Sequence, residues 1–343
     1  MSNTQKKNVP ELRFPEFEGE WEEKQLGNII KVNSGKDYKH LDKGDIPVYG
    51  TGGYMTSVSE PLSEIDAVGI GRKGTINKPY LLEAPFWTVD TLFYCTPKKE
   101  TDILFILSLF RKINWKVYDE STGVPSLSKQ TINKINRFVP TNKEQQKIGK
   151  FFSKLDRQIE LEEQKLELLQ QQKKGYMQKI FSQELRFKDE NGNDYPDWTN
   201  ERLGEVTTVT MGQSPKSVNY TDNSNDTVLI QGNADIENGL INPRIYTREV
   251  TKLIQKDEII LTVRAPVGKL AMAQINACIG RGVCSIKGDK FLYYFLEWFA
   301  TQNKWIRFSQ GSTFESISGN DIRNIHIKIP VEDERTKIIK LLN

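Results

Sequence analysis

Between Asn142 and Ser182 the chain has no proline and only two glycines, and its apolar residues fall at Ile148, Phe152, Leu155, Ile159, Leu166, Leu169, Tyr176 and Ile180. Steps of four and three keep this series on one helical face, with Glu162 and Lys173 as polar members of the seam. The spacing predicts one helix of about 40 residues, roughly 60 Å long, that packs lengthwise on another helix as a coiled coil. Thr141 followed by Glu144 has the spacing of a capping box at its start. The other faces are rich in Glu, Gln and Lys, as a solvated coiled coil requires.

On both sides of this segment the pattern changes to short apolar runs and alternation broken by Gly, Pro, Asn and Asp, which predicts strands and turns. AVGIG, TINKPYLL and FWTVDTLFYC lie before the long helix; DTVLIQ, EIILTVRA and ACIGRGVCSI lie after it. Each side also holds one predicted helix, ILFILSLFRKINWKVY in the first and FLYYFLEWFATQNKWIRF in the second.

The two sides are copies. Glu11-Leu12-Arg13-Phe14 recurs as Glu184-Leu185-Arg186-Phe187, and the W-x-x-x-x-L-G of Trp21, Leu26 and Gly27 recurs at Trp198, Leu203 and Gly204. SLSKQTINKINRFVP (Ser126 to Pro140) matches SISGNDIRNIHIKIP (Ser316 to Pro330), and NKEQQKIGKFF matches EDERTKIIKLL directly afterwards. The separation grows from 173 residues at the first match to 190 at the third, so the second copy carries insertions. Four ordered matches point to a duplicated module. The expected domains are residues 1–140, the spacer helix 141–183, residues 184–330, and the start of a second helix at 331–343, which by analogy with the first copy is truncated.

Composition narrows the class. The 16 Phe, 12 Tyr and 6 Trp fill real cores, which argues against disorder. The net charge of +3 neither demands nor excludes nucleic acid. Cys95, Cys278 and Cys284 form no C-x-x-C; the last two read as core, and an odd count fits a reducing compartment. The N-terminal residues lack the apolar stretch of a secretory signal, and the apolar run from Phe291 to Ala300, interrupted by Glu297, is too short for a bilayer. The expected location is cytoplasmic, with no membrane partner.

The paired W-x-x-x-x-L-G openings, the paired closings at Pro140 and Pro330, and the E-Q-Q-K-I run that starts the long helix resemble the specificity subunit of Type I restriction-modification systems. The resemblance covers nearly the whole chain. It implies an α+β fold of two similar target-recognition domains, strand-rich with helices, each followed by a long conserved helix of that family, the second truncated here. It also implies that each domain reads one half of a split double-stranded DNA target, and that the helices bind two modification (methyltransferase) subunits, which restriction subunits then join. The subunit itself is implied to be non-catalytic and to need no cofactor. Dissimilar module centres within similar borders imply two unlike half-sites and an asymmetric target.

Three motifs look enzymatic but lack their required context. Gly69-Ile70-Gly71-Arg72-Lys73-Gly74 fits G-x-G-x-x-G, but a dinucleotide site needs a helix to follow, and TINKPYLL is strand-like; a Gly-rich hairpin is expected. Asn77-Lys78-Pro79-Tyr80 only loosely matches an N-P-P-Y methyltransferase motif, and Glu22-Glu23-Lys24 lacks the upstream Asp of a nuclease. His40 and His326 cannot build a metal site, and His326 sits in an alternating strand as an outward residue. A stand-alone DNA methyltransferase or fused restriction enzyme remains the alternative, and a scaffold that binds only protein is a third reading.

DNA contact needs exposed cations for phosphate and hydrogen-bonding side chains for base edges. The candidates are Arg72, Lys73, Thr75 and Lys78 in one loop, and Lys36 and Lys39 in a second. In the other copy they are Lys216 of Gln213-Ser214-Pro215-Lys216, matched to Asn33-Ser34-Gly35-Lys36, with Arg264, Lys269 and Arg281. Ser121-Thr122-Gly123 and Gly311-Ser312-Thr313 are weaker candidates with an equal claim as turns. For the partner subunits the candidates lie on the long helix: Glu144, Gln145, Lys147, Lys154, Arg157, Glu163 and Lys165. A plain structural spacer is the alternative for that helix.

Overall fold

A computed structural model describes residues 8–305 and 316–343. Gly311-Ser312-Thr313 and the tail of the predicted helix at residues 306–308 lie outside the described residues. The chain divides into two units, Met1–Gln164 and Lys165–Asn343.

The first unit contains β1 (Glu22–Gln25), α1 (Leu26–Ile29), β2 (Ile30–Ser34), β3 (Ile46–Gly50), β4 (Gly53–Val58), β5 (Ala67–Gly71), β6 (Tyr80–Leu82), β7 (Trp87–Thr88), β8 (Leu92–Pro97), α2 (Ile103–Lys112), α3 (Lys129–Lys134), β9 (Asn136–Val139) and the start of α4 (Asn142–Phe181). One antiparallel sheet has the order β2-β8-β5-β6, and a smaller one has the order β4-β3-β7 with β3 and β7 parallel. The core lies between the larger sheet and α2, where Val68, Ile70 and Cys95 meet Phe105, Ile106 and Phe110. Each such fully buried side chain contributes about 1.5–3 kcal/mol. Asp102 caps α2 by accepting from the Phe105 amide. The helix predicted through Tyr118 stops at Lys112 and resumes as a 3-10 turn at Trp115–Tyr118. The break lets Trp115 enter the core, where its indole donates to the Phe110 carbonyl at 2.8 Å.

The second unit continues α4 and adds β10 (Thr199–Arg202), α5 (Leu203–Val206), β11 (Val209–Met211), β12 (Tyr220–Thr221), β13 (Thr227–Ile230), β14 (Ile236–Glu237), β15 (Leu240–Ile241), β16 (Tyr246–Thr247), β17 (Leu253–Ile254), β18 (Ile259–Thr262), β19 (Leu270–Met272), β20 (Ala277–Ile279), β21 (Val283–Ile286), α6 (Lys290–Thr301), α7 (Gly319–Arg323), β22 (His326–Ile329) and α8 (Glu332–Leu342). Its sheet order β11-β21-β18-β19 repeats β2-β8-β5-β6, and parallel β13 and β20 repeat β3 and β7. The hairpin β14–β15 extends that sheet beside β19 and is the visible part of the second copy's insertions.

The recurring sequence motifs meet at one place in each unit. β1 pairs with β9, and β10 with β22, so opening and closing motifs form a two-stranded ribbon. The Leu of each L-G is fully buried and donates its amide to Ile135 or Ile325 in the closing motif. At the start of α4 the buried Glu144 carboxylate accepts from Arg13 at 2.8 and 2.7 Å and from the Trp21 indole at 3.2 Å. At the start of α8, buried Glu334 accepts from Arg186 at 2.9 and 2.8 Å and from Trp198 at 2.9 Å. The Glu144 carboxylate therefore serves the Arg–Trp clasp rather than the expected capping box.

α4 has the predicted length. Its ends are packed: Ile148 lies against the first core, and Met177, Ile180 and Phe181 are buried in the second. Along its middle, Phe152, Leu155, Ile159, Leu166 and Leu169 are 44% to 58% exposed, so among the described residues the expected lengthwise packing is met only at the two ends.

Candidate nucleic-acid interface

The tight turn between β7 and β8 is a hub for the loops that leave the sheet at one end. Val89 donates its amide to the Tyr49 carbonyl, and Lys36 donates to Thr88. Gly35 donates to Leu92, while Arg72 and Lys73 donate to Thr91. Lys73 also bridges Ser126 at the head of the closing motif. Asp119 organises that approach: its Oδ1 accepts from the amides of Ser126 at 2.9 Å and Ser121 at 3.0 Å. These bonds, the one from Ser126 first, hold its carboxyl below its ordinary value.

The second unit repeats the hub's bonds except the one from Lys73 to Thr91. Gly280 donates to Ile230, Gln213 to Ile279, Gly212 to Val283 and Val263 to Gly282, and Arg264 bridges Ser316. A side chain is excluded at the same point in both: a Cβ on Gly35 would lie 1.9 Å from the Val89 carbonyl oxygen, and one on Gly212 would lie 2.1 Å from that of Gly280. Equivalent bonds equate Lys73 with Arg264, Asp90 with Arg281, and Lys36 with Gln213. Lys216 is therefore not the counterpart of Lys36; it lies three residues further on, where its amide donates to Glu249.

The structure thus brings together Lys36, Arg72 and Lys73 in one unit and Arg264 and Arg281 in the other. Lys39, Lys78 and Lys216 are exposed on neighbouring loops, and Thr75 is half-buried, but no described bond ties their side chains to the hub. Lys269 does not fit the expectation: its ammonium is spent on the carbonyls of Asn233 at 3.2 Å and Ile236 at 2.5 Å, so it braces the β18–β19 loop. Arg72 is exposed; its Nη1 donates to the Asp90 carbonyl at 3.4 Å and its guanidinium lies over Phe93.

Charge pairing separates the hub cations from the arginines that brace the fold. Arg13, Arg111, Arg186 and Arg335 each have a carboxylate partner. Among the described residues, Lys36, Lys73, Arg264 and Arg281 have none, although all four are exposed. Uncompensated cations on backbone-braced loops attract a polyanion. Sequence reasoning missed Asp90, which occupies the hub beside them, and placed Gln213 three residues out of register. The available signal was the kinship of FWTVDTLFYC with ACIGRGVCSI, each a strand, a tight turn and a strand.

The decoys resolve as loops and strands. A loop, and then antiparallel β6, follows the G-x-G-x-x-G. Asn77 to Pro79 form a connection, and the Tyr80 hydroxyl donates to Gly50 at 2.6 Å. Glu22 pairs with Lys24 on exposed β1. His326 is exposed on β22, and His40 packs edge-on against Trp87. All three cysteines are free and buried, and burial pushes the Cys284 thiol up to about 12. Among the described residues, no group of three or more His, Cys, Asp or Glu could hold a metal ion, and no helix is long and apolar enough to cross a membrane.

On α4, Lys154, Arg157, Glu163 and Lys165 are exposed, and Lys147 is exposed in an ion pair with Glu16. Arg157 pairs with Glu160 one turn away. Two of the partner-binding expectations are corrected. Glu144 is 1% and Gln145 3% exposed. Glu144 closes the clasp, and Gln145 accepts from the Asp102 amide and donates to the Pro140 carbonyl. Their polar atoms hold the unit together and face no partner.

A family model described as Type I restriction modification DNA specificity domain matches residues 18–171 and again 195–343. A Methanocaldococcus jannaschii protein named as the specificity subunit of the type I restriction enzyme MjaX is 30% identical over 255 residues, which cover 70% of this chain and 60% of that protein. The type I restriction enzyme MjaVIII specificity subunit of the same organism is 26% identical over 260 residues, covering 68% and 58%. The chain therefore spans about three fifths of the length of these relatives. The crystal structure of a Type I restriction-modification S subunit from M. genitalium aligns with a TM-score of 0.66 at 16% identity, over 97% of this chain and 92% of that one. A structure described in terms of complex assembly and conformational transition of the type I R-M system aligns with a TM-score of 0.53 at 20% identity, over 97% and 90%. At these identities the likeness is one of fold.

Proposed function

The chain belongs to the Type I restriction modification DNA specificity family, and from that premise we propose that it is the non-catalytic DNA-reading subunit of a Type I restriction-modification complex, working in the cytoplasm. Each unit reads one half of an asymmetric double-stranded target. The spacer is the helix α4, and the reading modules are residues 1–140 and 184–330. Its exposed positions Lys147, Lys154, Arg157, Glu163 and Lys165, with the uncovered apolar seam, dock two modification subunits, and restriction subunits join through the assembled complex. No cofactor is required of this chain.

One observation carries the reading: a hub with exposed cations is built twice, on shared backbone bonds, in one duplicated frame. Two copies of a binding loop set on one chain suit a target with two parts. Lys36, Lys73 and Arg264 supply phosphate contacts, with Arg72, Lys39, Lys78, Lys216 and Thr75 on the flanking loops.

Footprinting tests this. The chain with its methyltransferase partner is expected to protect two short DNA tracts separated by an indifferent gap, with affinity falling steeply as salt rises. One continuous tract would sink the two-module reading, and salt-insensitive binding would favour a protein scaffold. Saturable binding of S-adenosylmethionine to this chain alone would replace the proposal with a methyltransferase.

A further inference from the structure

The residue at the crest of each hub differs in chemistry while its backbone setting is the same. In the first unit the crest is Asp90, between Val89, which donates to Tyr49, and Thr91, which accepts from Arg72. In the second it is Arg281, between Gly280, which donates to Ile230, and Gly282, which accepts from Val263. Both side chains are exposed, and no described group bonds or pairs with either one. The Arg281 amide is fixed by Ser214 Oγ at 3.1 Å. The Asp90 carbonyl is fixed by Arg72 at 3.4 Å. Each side chain therefore projects from a backbone held on several sides.

An unpaired carboxylate among Lys36, Arg72 and Lys73 is costly if it faces phosphate, since like charges repel. It is favourable where a base presents an amino group, and a carboxylate accepts from cytosine N4 in the major groove. An arginine in the same setting has the opposite preference: its planar fork donates two bonds to guanine O6 and N7. A crest that served only phosphate would gain nothing from a carboxylate; an acid at one crest and a base at the other suit discrimination instead.

We infer that Asp90 and Arg281 are equivalent specificity-determining residues, Asp90 selecting a base with an exposed amino group in one half-site and Arg281 selecting guanine in the other. This rests on the proposed DNA-reading function and deepens it by assigning the position at which the two half-sites are made chemically distinct.

The test is a methylation map. The full chain and its variants are expressed with the methyltransferase subunit in a host whose genomic DNA lacks adenine methylation, and every modified site is read by sequencing. Asp90→Asn is expected to relax one base position of one half-site, with discrimination there falling roughly tenfold or more, while the other half-site and the gap stay fixed. Arg281→Gln is expected to relax a guanine of the other half-site to the same degree. Lys73→Gln, at a phosphate-facing position, is expected to lower methylation of all sites without changing the motif. Asp90→Ala and Arg281→Ala, checked for an unchanged melting temperature, guard against a folding defect and are expected to relax the same positions. An unchanged motif in both crest variants overturns the inference, as does a change in both half-sites from one variant. A wild-type chain that yields no two-part motif would instead refute the underlying function.

Discussion

At the scale of single residues the strongest constraint is the clasp of Arg, Trp and a buried Glu. In the second unit Arg186 has its pKa raised by the hydrogen bonds it donates to Glu334, and the Trp198 indole shares that carboxylate. Removing one partner of a buried charged pair strands the other. Glu334→Ala is expected to destabilise the unit by about 3–5 kcal/mol in urea unfolding. Trp198→Phe, which keeps the ring and loses only the N–H bond, should cost about 1–3 kcal/mol. Equal costs for the two would refute this ranking. A second expectation concerns Asp119, whose carboxyl is depressed by the Ser126 and Ser121 bonds. A depressed carboxyl stabilises above its unfolded pKa and loses that contribution as pH falls through the lower folded value. Exchange protection of the Ser121 and Ser126 amides should therefore persist through the ordinary Asp range and vanish only below it; loss above that range would contradict the assignment. Both the E-L-R-F and W-x-x-x-x-L-G motifs were legible in the sequence. Their shared target was not, because helical periodicity does not distinguish a first-turn Glu that faces solvent from one that turns inward to meet residues more than 120 positions away.

At the scale of elements, local signals predicted boundaries well where side chains act through their own segment. The long helix was readable because its heptad is local, and so were the closing strands before Pro140 and Pro330. Elements set by tertiary contact were less readable. The first predicted helix splits because Trp115 is drawn into the core, and sequence alone pairs Lys36 with Lys216 because the bonds to a distant turn that fix the loop register leave no local pattern. For α4 the uncovered seam gives a direct expectation. Ile159→Gln and Leu166→Gln replace side chains that are 58% and 57% exposed, so each should change the stability of the chain by less than about 0.5 kcal/mol. The same pair should weaken association with the modification subunit in pull-down or calorimetry. A large stability loss with unaltered association would show that the seam serves the chain itself.

At the scale of the whole molecule the duplication is deeper than the sequence shows. Only the borders of the modules match in residue type, yet the centres match in strand order, in the parallel pair of each small sheet, and in the hydrogen bonds of each hub. Backbone bonds hold this frame, so the exposed side chains between the borders are free to diverge and the modules should be interchangeable. The natural joints are the ribbon ends, where Glu22 faces Val139 and Thr199 faces Ile329. Replacing residues 199–329 by residues 22–139 leaves Trp198 and Glu334 outside the graft, so the clasp of the second unit stays complete. Modification subunits assembled with this chimera are expected to methylate sites with two identical half-sites, each matching the wild-type half assigned to the first unit. Retention of the original second half-site would mean that bases are read from outside residues 199–329. A folded chain that has lost all sequence preference would mean that the hub needs more of its own module than the frame supplies.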